Sequence, residues 1–199
     1  AAVYAGKSGR TDSLRWAVAA RDKAGLDYAA KLAGKGRPNP PEVLWFGLQN
    51  QTRVLQMVRR AKAVVSFAGP YEKNSGEALI RAALEGCTHY VDIAAEVQWR
   101  ASMLKKYAGT AEKRGVAVLQ AAGFVSVASD LLAMSAVQDV VDRDGAPPAN
   151  VMVLWTKMND AMSGGQILTT EWEAHHYAPN RDPYILAPDV PEGMRSDWA

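Results

Sequence analysis

Charged residues follow the first short apolar segment of this 199-residue chain, where side chains could contact a ligand. Arg21 and Lys23 come directly after Leu14–Ala19. In a dinucleotide-binding fold this position meets the adenosine ribose, where a carboxylate holds a 2′-hydroxyl and a cation neutralises a 2′-phosphate. The two cations therefore favour a phosphorylated cofactor. The residues alone equally allow a structural interpretation, in which Asp22 is the N-cap of a following helix.

Two carboxylates accompany a later apolar segment. Asp92 lies within Tyr90–Ala94 and Glu96 follows it, a pairing that acid–base catalysis can use. Ser126 is a further candidate for a catalytic role. Acidic residues at the end of a strand more often cap the next helix. The pattern therefore names candidates and assigns no catalytic residue.

Two glycine-containing turns follow other apolar segments. Ala68, Gly69 and Pro70 end the third segment, and Gly123 and Phe124 come after the fifth. Glycine lets the backbone approach a ligand closely, and proline fixes the direction in which the chain leaves the turn. A tight turn without a ligand would need the same residues.

The elements that must position these residues alternate along the chain. Five short apolar segments predict strands buried on both faces: Leu14–Ala19, Val43–Gly47, Ala63–Ala68, Tyr90–Ala94 and Val116–Ala121. Segments of helical pattern predict helices over Asn50–Arg60, Ser75–Glu85 and Val97–Arg114 and near Ser129–Val141. This alternation predicts a doubly wound α/β fold with a parallel sheet. Such sheets bind ligands at the carboxyl ends of their strands.

The segment Asp142–Asn150, rich in proline and glycine, predicts a linker. We expect residues 1–141 to form the nucleotide-binding domain and residues 151–199 to begin a second α/β domain. In the latter, Val151–Thr156 predicts a strand and Gln166–Tyr177 a helix. One strand and one helix cannot close a hydrophobic core, so we expect the second domain to be incomplete.

Composition excludes several classes of protein. With 48% hydrophobic and 22% charged residues the chain is of ordinary globular type. Its net charge of +2 is scattered in both signs, which gives no footprint for nucleic acid. A single cysteine excludes an intrachain disulfide, and we expect no metal site. No segment approaches the roughly 18 apolar residues that span a bilayer, so no transmembrane helix is expected.

Tryptophans are numerous, six in this chain. Trp45 and Trp155 lie in apolar segments and are expected in the core. Trp16, Trp99 and Trp172 are expected at a rim or an interface.

The segment Val64–Glu96 resembles the central signature of the saccharopine dehydrogenase-like oxidoreductases, which include the trans-acting enoyl reductases. That signature has a GPY turn, a Gly-Glu helix and a THYVD strand, all present here in order. Further segments resemble other parts of the family: Ser13–Leu26 its second strand, Gln120–Leu132 its CGFDSxPSDL segment, and Ser163–Gln166 and Asp182–Pro188 the opening of its second domain.

The resemblance implies a Rossmann-like domain that binds NADP or NAD, and hydride transfer on a carbonyl, imine or enoyl bond. It implies Arg21 at the adenosine ribose, Gly69 and Pro70 beside the nicotinamide side, and Gly123 and Phe124 near the domain cleft. The implied partners are a small-molecule substrate and, in a homo-oligomer or larger assembly, protein subunits. The implied location is intracellular, in mitochondrion or cytoplasm, with peripheral contact to lipid surfaces.

The chain also departs from the family pattern. The family begins with a strand and a GATGxTGR-type loop, whereas Ala1 falls in a segment that resembles the middle of the first helix, so we expect the chain to be incomplete at both ends. Ala95, Ala122, Val125 and Ala128 replace the glycine, cysteine, aspartate and proline of the family motifs. Ala95, Ala122 and Val125 favour an alternative, a catalytically inactive member that has lost the cofactor site and serves as a structural subunit of a larger assembly.

Overall fold

Strands and helices alternate along the part of the chain that the computed structural model describes, residues 15–154 together with residues 167, 171, 174 and 175. In chain order the elements are β1 (Ala17–Ala20), α1 (Lys23–Gly34), β2 (Glu42–Trp45), α2 (Gln51–Arg59), β3 (Ala63–Ser66), α3 (Gly76–Glu85), β4 (His89–Asp92), α4 (Val97–Arg114), β5 (Val118–Leu119) and α5 (Phe124–Asp144).

Local capping contacts explain where several helices begin and end. The Asp22 carboxylate accepts the N–H of Gly25 over 3.0 Å at the start of α1. Asn50 does the same for α2, accepting the N–H of Arg53 over 3.1 Å. Both contacts satisfy amide groups that have no partner inside the helix. At the end of α4, Gly115 has a φ of 63°, the left-handed conformation that glycine adopts without strain.

All strand pairings of the described residues are parallel, as predicted. Strand β1 pairs with β2, and β4 lies between β3 and β5. No strand pairing joins these two sheets within residues 15–154. Because the strands of each sheet are parallel, their carboxyl ends meet at one edge, and the loops that follow them become neighbours.

The hydrophobic core is divided in the same way as the strands. A small cluster of Val18, Leu26 and Ala30 lies between β1 and α1. A larger cluster joins α2, α3, β4 and α4, and its innermost members are Val54, Val58, Ile80, Ala83, Tyr90 and Ala94. Trp99 belongs to this larger cluster with only 4% of its surface exposed, so its expected place at a rim is wrong. Its ring stacks on Tyr71 at a centroid distance of 5.4 Å, which explains the burial.

Helix α5 begins earlier than predicted and is apolar over much of its length. It begins at Phe124 instead of near Ser129, whose hydroxyl donates to the carbonyl of Val125 over 2.8 Å. None of its 21 residues is buried, and its mean hydropathy reaches 1.4. By length and composition alone it could cross a membrane, which corrects the expectation that no segment is apolar enough. Core helices of soluble proteins can have the same length and composition, so one such helix is weak evidence for a membrane span.

The segment after α5 differs in part from the prediction. Helix α5 continues to Asp144, three residues into the predicted linker. Residues 151–154 form no strand, and the rest of the strand predicted over Val151–Thr156 lies outside the described residues. Residues 167, 171, 174 and 175 are helical, in agreement with the helix predicted there. The rest of that helix, Trp155, Trp172 and the motifs at Ser163–Gln166 and Asp182–Pro188 also lie outside the described residues, and the division into domains stays a prediction.

Candidate functional site

The loops that follow β3, β4 and β5 contact one another at the carboxyl edge of their sheet. Ser66 and Asp92 are paired at the ends of β3 and β4. The N–H of Ala122 donates to the carbonyl of Asp92 over 2.7 Å. A Cβ added to Gly123 would lie 3.5 Å from the Cβ of Ile93, so this turn approaches the β4 loop closely. The predicted turn residues therefore lie along one edge of this sheet.

Tyr71 fixes the turn that follows β3. The Gly69–Pro70 peptide bond is cis, and the side chain of Tyr71 is buried behind it. The Tyr71 hydroxyl donates to the carbonyl of Ser66 over 2.8 Å and accepts the N–H of Ile93 over 3.3 Å. Burial raises the pKa of the Tyr71 phenol to about 12, against the opposing effect of the Ile93 hydrogen bond. The phenol therefore acts as a neutral link between the ends of β3 and β4.

Asp92 is fully buried and holds the ends of β4 and β5 together. Its Oδ1 accepts the N–H of Ala94 over 3.0 Å and that of Ala121 over 2.9 Å. Its Oδ2 and the nearby hydroxyl of Tyr90 have no hydrogen-bond partner among the described residues. Burial raises the pKa of the Tyr90 phenol, and the charge of Asp92 raises it further.

Glu96 occupies the N-cap position of α4, but its side chain does not cap that helix. Its Oε1 accepts the N–H of Tyr71 over 2.7 Å, a buried contact that joins the loops after β3 and β4. The expectation that Asp92 and Glu96 cap the next helix is therefore wrong for both side chains. Each carboxylate instead accepts a backbone N–H of a neighbouring loop, that of Tyr71 for Glu96 and that of Ala121 for Asp92.

The other predicted residues of this edge differ in exposure. Gly69 is exposed, while Ala68 and Pro70 are half-buried. Phe124 is 77% exposed in the first turn of α5, directly after Gly123 at the N-cap. Ser126 follows in the same turn and is half-buried. These residues leave backbone and one large aromatic ring accessible beside the buried carboxylates.

Arg21 and Lys23 lie at the carboxyl end of the other sheet, after β1, and both are exposed. The structural interpretation of this segment is confirmed, and the role of its cations at a phosphate stays a prediction. Asp22 does cap α1, and that contact occupies its carboxylate. The guanidinium of Arg21 makes no hydrogen bond or ion pair with any other described residue. Within residues 15–154 the sheet that carries Arg21 is not paired with the sheet that carries Asp92, so a single crevice formed by Arg21, Gly69, Asp92 and Gly123 would be a further prediction.

Trp45, which was expected in the core, is 56% exposed at the carboxyl end of β2. The expectation fails because β2 pairs only with β1 within residues 15–154, and three of its four residues are exposed. The Trp45 indole Nε1 donates to the carbonyl of Arg21 over 3.0 Å. Sequence reasoning missed this residue, because Trp45 lies in the middle of the predicted segment Val43–Gly47, whereas Arg21 was selected for its place after an apolar segment.

A separate depression of about 570 Å³ lies on the helical side, lined by the first turns of α2, α3 and α4 among others. Its polar lining includes Gln51, Glu72, Glu77, Arg81 and Gln98, and none of the predicted site residues. Within the part of the chain that the structure describes, no group of three or more potential metal ligands is assembled.

Residues 1–119 match the family model described as the saccharopine dehydrogenase NADP binding domain. The chain belongs to this family. It is 33% identical over 129 residues to the saccharopine dehydrogenase-like oxidoreductase of Mus musculus, which covers 62% of this chain and 30% of the relative. It is 32% identical over 132 residues to the lipid droplet localized protein of Caenorhabditis elegans, and the match covers 64% of this chain and 30% of the relative. It is 28% identical over 185 residues to the trans-acting enoyl reductase of Mycobacterium leprae, and the match covers 89% of this chain and 44% of the relative.

A solved structure of apo saccharopine dehydrogenase (L-Glu forming) from Saccharomyces cerevisiae is similar in fold. It superposes with a TM-score of 0.56 at 19% identity, covering 67% of this chain and 27% of that protein. This similarity confirms the predicted Rossmann-like α/β fold, and the match to the family model confirms the family resemblance. The chain spans only 30% of the length of the mouse and nematode relatives.

Proposed function

We propose that this chain is the cofactor-binding part of an oxidoreductase that uses NADP in preference to NAD. Its membership of a family described by its NADP-binding domain carries the proposal. The names of the mouse and mycobacterial relatives, an oxidoreductase and an enoyl reductase, support hydride transfer on a carbonyl, imine or enoyl substrate.

The adenosine end of the cofactor fits the residues after β1. Arg21 and Lys23 are exposed cations at a strand end, and the neighbouring carboxylate of Asp22 is occupied by the α1 cap. A guanidinium that makes no hydrogen bond or ion pair with another residue of 15–154 can form charge-assisted, bidentate hydrogen bonds with a phosphate. NAD has a hydroxyl at the same ribose position and would gain little from these cations. The preference for NADP follows from that difference.

The nicotinamide end is proposed to lie against the loops after β3 and β5. Gly69, with Ala68 and Pro70 beside it, and Gly123 with Phe124 would border the ring. When bound, the cofactor supplies the hydride chemistry. The chain's own residues orient it. The contacts from Glu96 to the Tyr71 amide and from Asp92 to the Ala121 amide hold the bordering loops in fixed positions.

The name of the nematode relative also supports a location at lipid surfaces. We extend the proposal to peripheral contact with lipid storage particles inside the cell. Flotation of the tagged protein with the lipid fraction of a density gradient tests this. Recovery only in the protease-protected mitochondrial fraction would assign it to the mitochondrion instead.

Titration of the protein with NADPH and NADH, followed by its melting temperature, tests the cofactor. A ligand at a hundred times its Kd stabilises the folded state by about 2.7 kcal/mol, so binding is readily visible. We expect NADPH to raise the melting temperature at lower concentration than NADH does. An unchanged melting temperature with both cofactors at about millimolar concentration would overturn the proposed function.

A further inference from the structure

An exposed tryptophan stands among cations at the adenosine end of the proposed cofactor site. Trp45 and Ala20 are register partners at the carboxyl ends of β2 and β1. Arg21 follows Ala20 directly, so the indole ring lies next to the residue proposed for the 2′-phosphate. Leaving an aromatic side chain of this size in water is unfavourable. Because Trp45 lies at the edge where such sheets bind ligands, a ligand is the natural group to cover it.

The Trp45 ring is held in place before any ligand binds. Its Nε1–H donates to the Arg21 carbonyl over 3.0 Å, which restricts rotation of the side chain. The Arg53 guanidinium, through Nη1, donates to the carbonyl of Trp45 over 3.3 Å and fixes the backbone at the same point. A ring that is ordered in advance loses little conformational entropy when a flat ligand stacks on it.

The charge around the ring selects an anionic partner. The Lys23 ammonium lies 5.9 Å from the centroid of the Trp45 ring, within the range of a cation–π contact. The Arg53 guanidinium donates to the carbonyl of Trp45, and Arg21, whose main-chain carbonyl accepts the indole N–H, brings a third cationic residue to this corner. The matching ligand has a flat aromatic face and phosphate groups close to it, the chemistry of a phosphorylated purine nucleoside.

We propose that Trp45 is the stacking platform for the purine base of a 2′-phosphorylated adenosine nucleotide. This rests on the proposed function, and it names a residue that determines base affinity separately from the phosphate contacts of Arg21. Stacking of a base on an aromatic side chain strengthens binding by roughly fivefold to a hundredfold and needs only the faces of the two rings. Trp45 therefore acts on every adenosine ligand alike, whereas Arg21 acts only on ligands with a 2′-phosphate.

Trp16 offers a matched control at the opposite end of the strands. Its Nε1 donates to the Asn39 carbonyl over 3.0 Å, and the Arg37 guanidinium lies 5.9 Å from its ring centroid. Its indole N–H and a nearby guanidinium therefore make contacts like those of Trp45, but Trp16 is half-buried against the Val18, Leu26 and Ala30 cluster and precedes β1 at the amino edge. Replacing Trp16 by phenylalanine removes an indole of the same kind without touching the carboxyl edge.

Calorimetric titration with adenosine 2′,5′-bisphosphate and with adenosine 5′-monophosphate tests the proposal. We expect Trp45→Leu to weaken both ligands by the same factor, roughly tenfold or more. Trp45→Phe, which keeps a ring face, should remain within about threefold of the unchanged protein. Quenching of tryptophan fluorescence by the bisphosphate should largely disappear in Trp45→Phe and persist in Trp16→Phe.

The outcomes separate this proposal from the proposed function. If the unchanged protein binds the bisphosphate and Trp45→Leu binds it equally well, Trp45 is no platform while the cofactor assignment stands. The same conclusion follows if Trp45→Leu weakens only the bisphosphate, or if Trp45→Phe loses as much affinity as Trp45→Leu. If the unchanged protein binds neither adenosine ligand nor NADPH, both proposals fall together. Unfolding curves of each variant show whether a loss of binding reflects a loss of folding.

Discussion

Glu96 and Tyr71 join two loops at the carboxyl edge of the β3–β4–β5 sheet, through a hydrogen bond of 2.7 Å from the Tyr71 amide to the carboxylate. Both residues are buried, and they lie 25 positions apart in the chain. A hydrogen bond from a backbone amide to a carboxylate is stronger than one between neutral groups. The contact therefore shapes the turn at Gly69 and Pro70 from a distance in sequence.

Replacing Glu96 by alanine should destabilise the fold by about 1–3 kcal/mol, because the Tyr71 amide then loses its buried acceptor. Glu96→Gln keeps an oxygen in the same place and should cost less than half as much. Urea unfolding of the two variants measures the difference. Equal losses in both would show that the charge of Glu96, and not its oxygen as acceptor, stabilises the loop.

The same pair of substitutions, to alanine and to the amide, can be compared at Asp92, whose carboxylate accepts two backbone N–H groups. Asp92→Ala leaves the N–H groups of Ala94 and Ala121 without their acceptor, and each buried unpaired donor costs about 1–3 kcal/mol. Asp92→Asn keeps one oxygen for both amides and places an N–H₂ group beside Tyr90, so it should be much the milder change. Thermal unfolding checks the order. If asparagine is as harmful as alanine, the negative charge itself is required.

Tyr71 predicts a loss of stability in alkaline solution. Its folded pKa of about 12 lies above the ordinary value of 10, so the unfolded chain releases the phenolic proton first. The stabilising contribution is therefore complete below pH 10 and is lost as the pH rises towards 12. Tyr71→Phe lacks this group. It should be less stable than the unchanged protein at pH 8, and the gap should narrow by pH 11. A gap that stays constant with pH would contradict the assignment.

Arg21→Ala should weaken binding of NADPH by about 1–3 kcal/mol, the scale of charge-assisted hydrogen bonds, and leave NADH almost unchanged. Arg15→Ala removes an exposed cation at the amino end of β1 and should affect neither cofactor. Titrations of the three proteins with both cofactors provide the measurement. Equal losses of NADPH and NADH in Arg21→Ala would refute a contact with the 2′-phosphate.

Elements with marked ends were predictable from the sequence. Helix α4 has the predicted bounds because Gly115 ends it in the left-handed conformation. Helix α5 was placed too late because serine is a common N-cap. The cap is in fact Gly123, whose extended backbone begins the helix without a side-chain contact. A pattern of residue types does not show when a glycine takes that role.

The sequence predicted which residues follow the strands and therefore lie near the candidate site. It did not predict which side chains those residues contact. Local apolarity selected Trp45 for the core, because it reports the character of neighbouring residues and not which side of a strand is covered. Trp99 was expected at a rim but is buried, because its ring stacks on Tyr71, 28 positions earlier in the chain. The partners of Glu96 and Asp92 are likewise distant in the chain, and only the fold brings them together.

Strand β4 occupies the middle of its sheet, with Tyr90 paired to both Val64 and Val118, and Val91 paired to both Val65 and Leu119. Its amide protons donate to the neighbours on either side, that of His89 to the Lys62 carbonyl next to β3 and that of Tyr90 to the Ala117 carbonyl next to β5, so neither side of the strand is open to solvent. These amides should therefore take up deuterium last, at a rate governed by opening of the whole domain, and amides of the outer strands should exchange earlier. The same strand carries Asp92, so the anchoring carboxylate sits on the most persistent part of the scaffold.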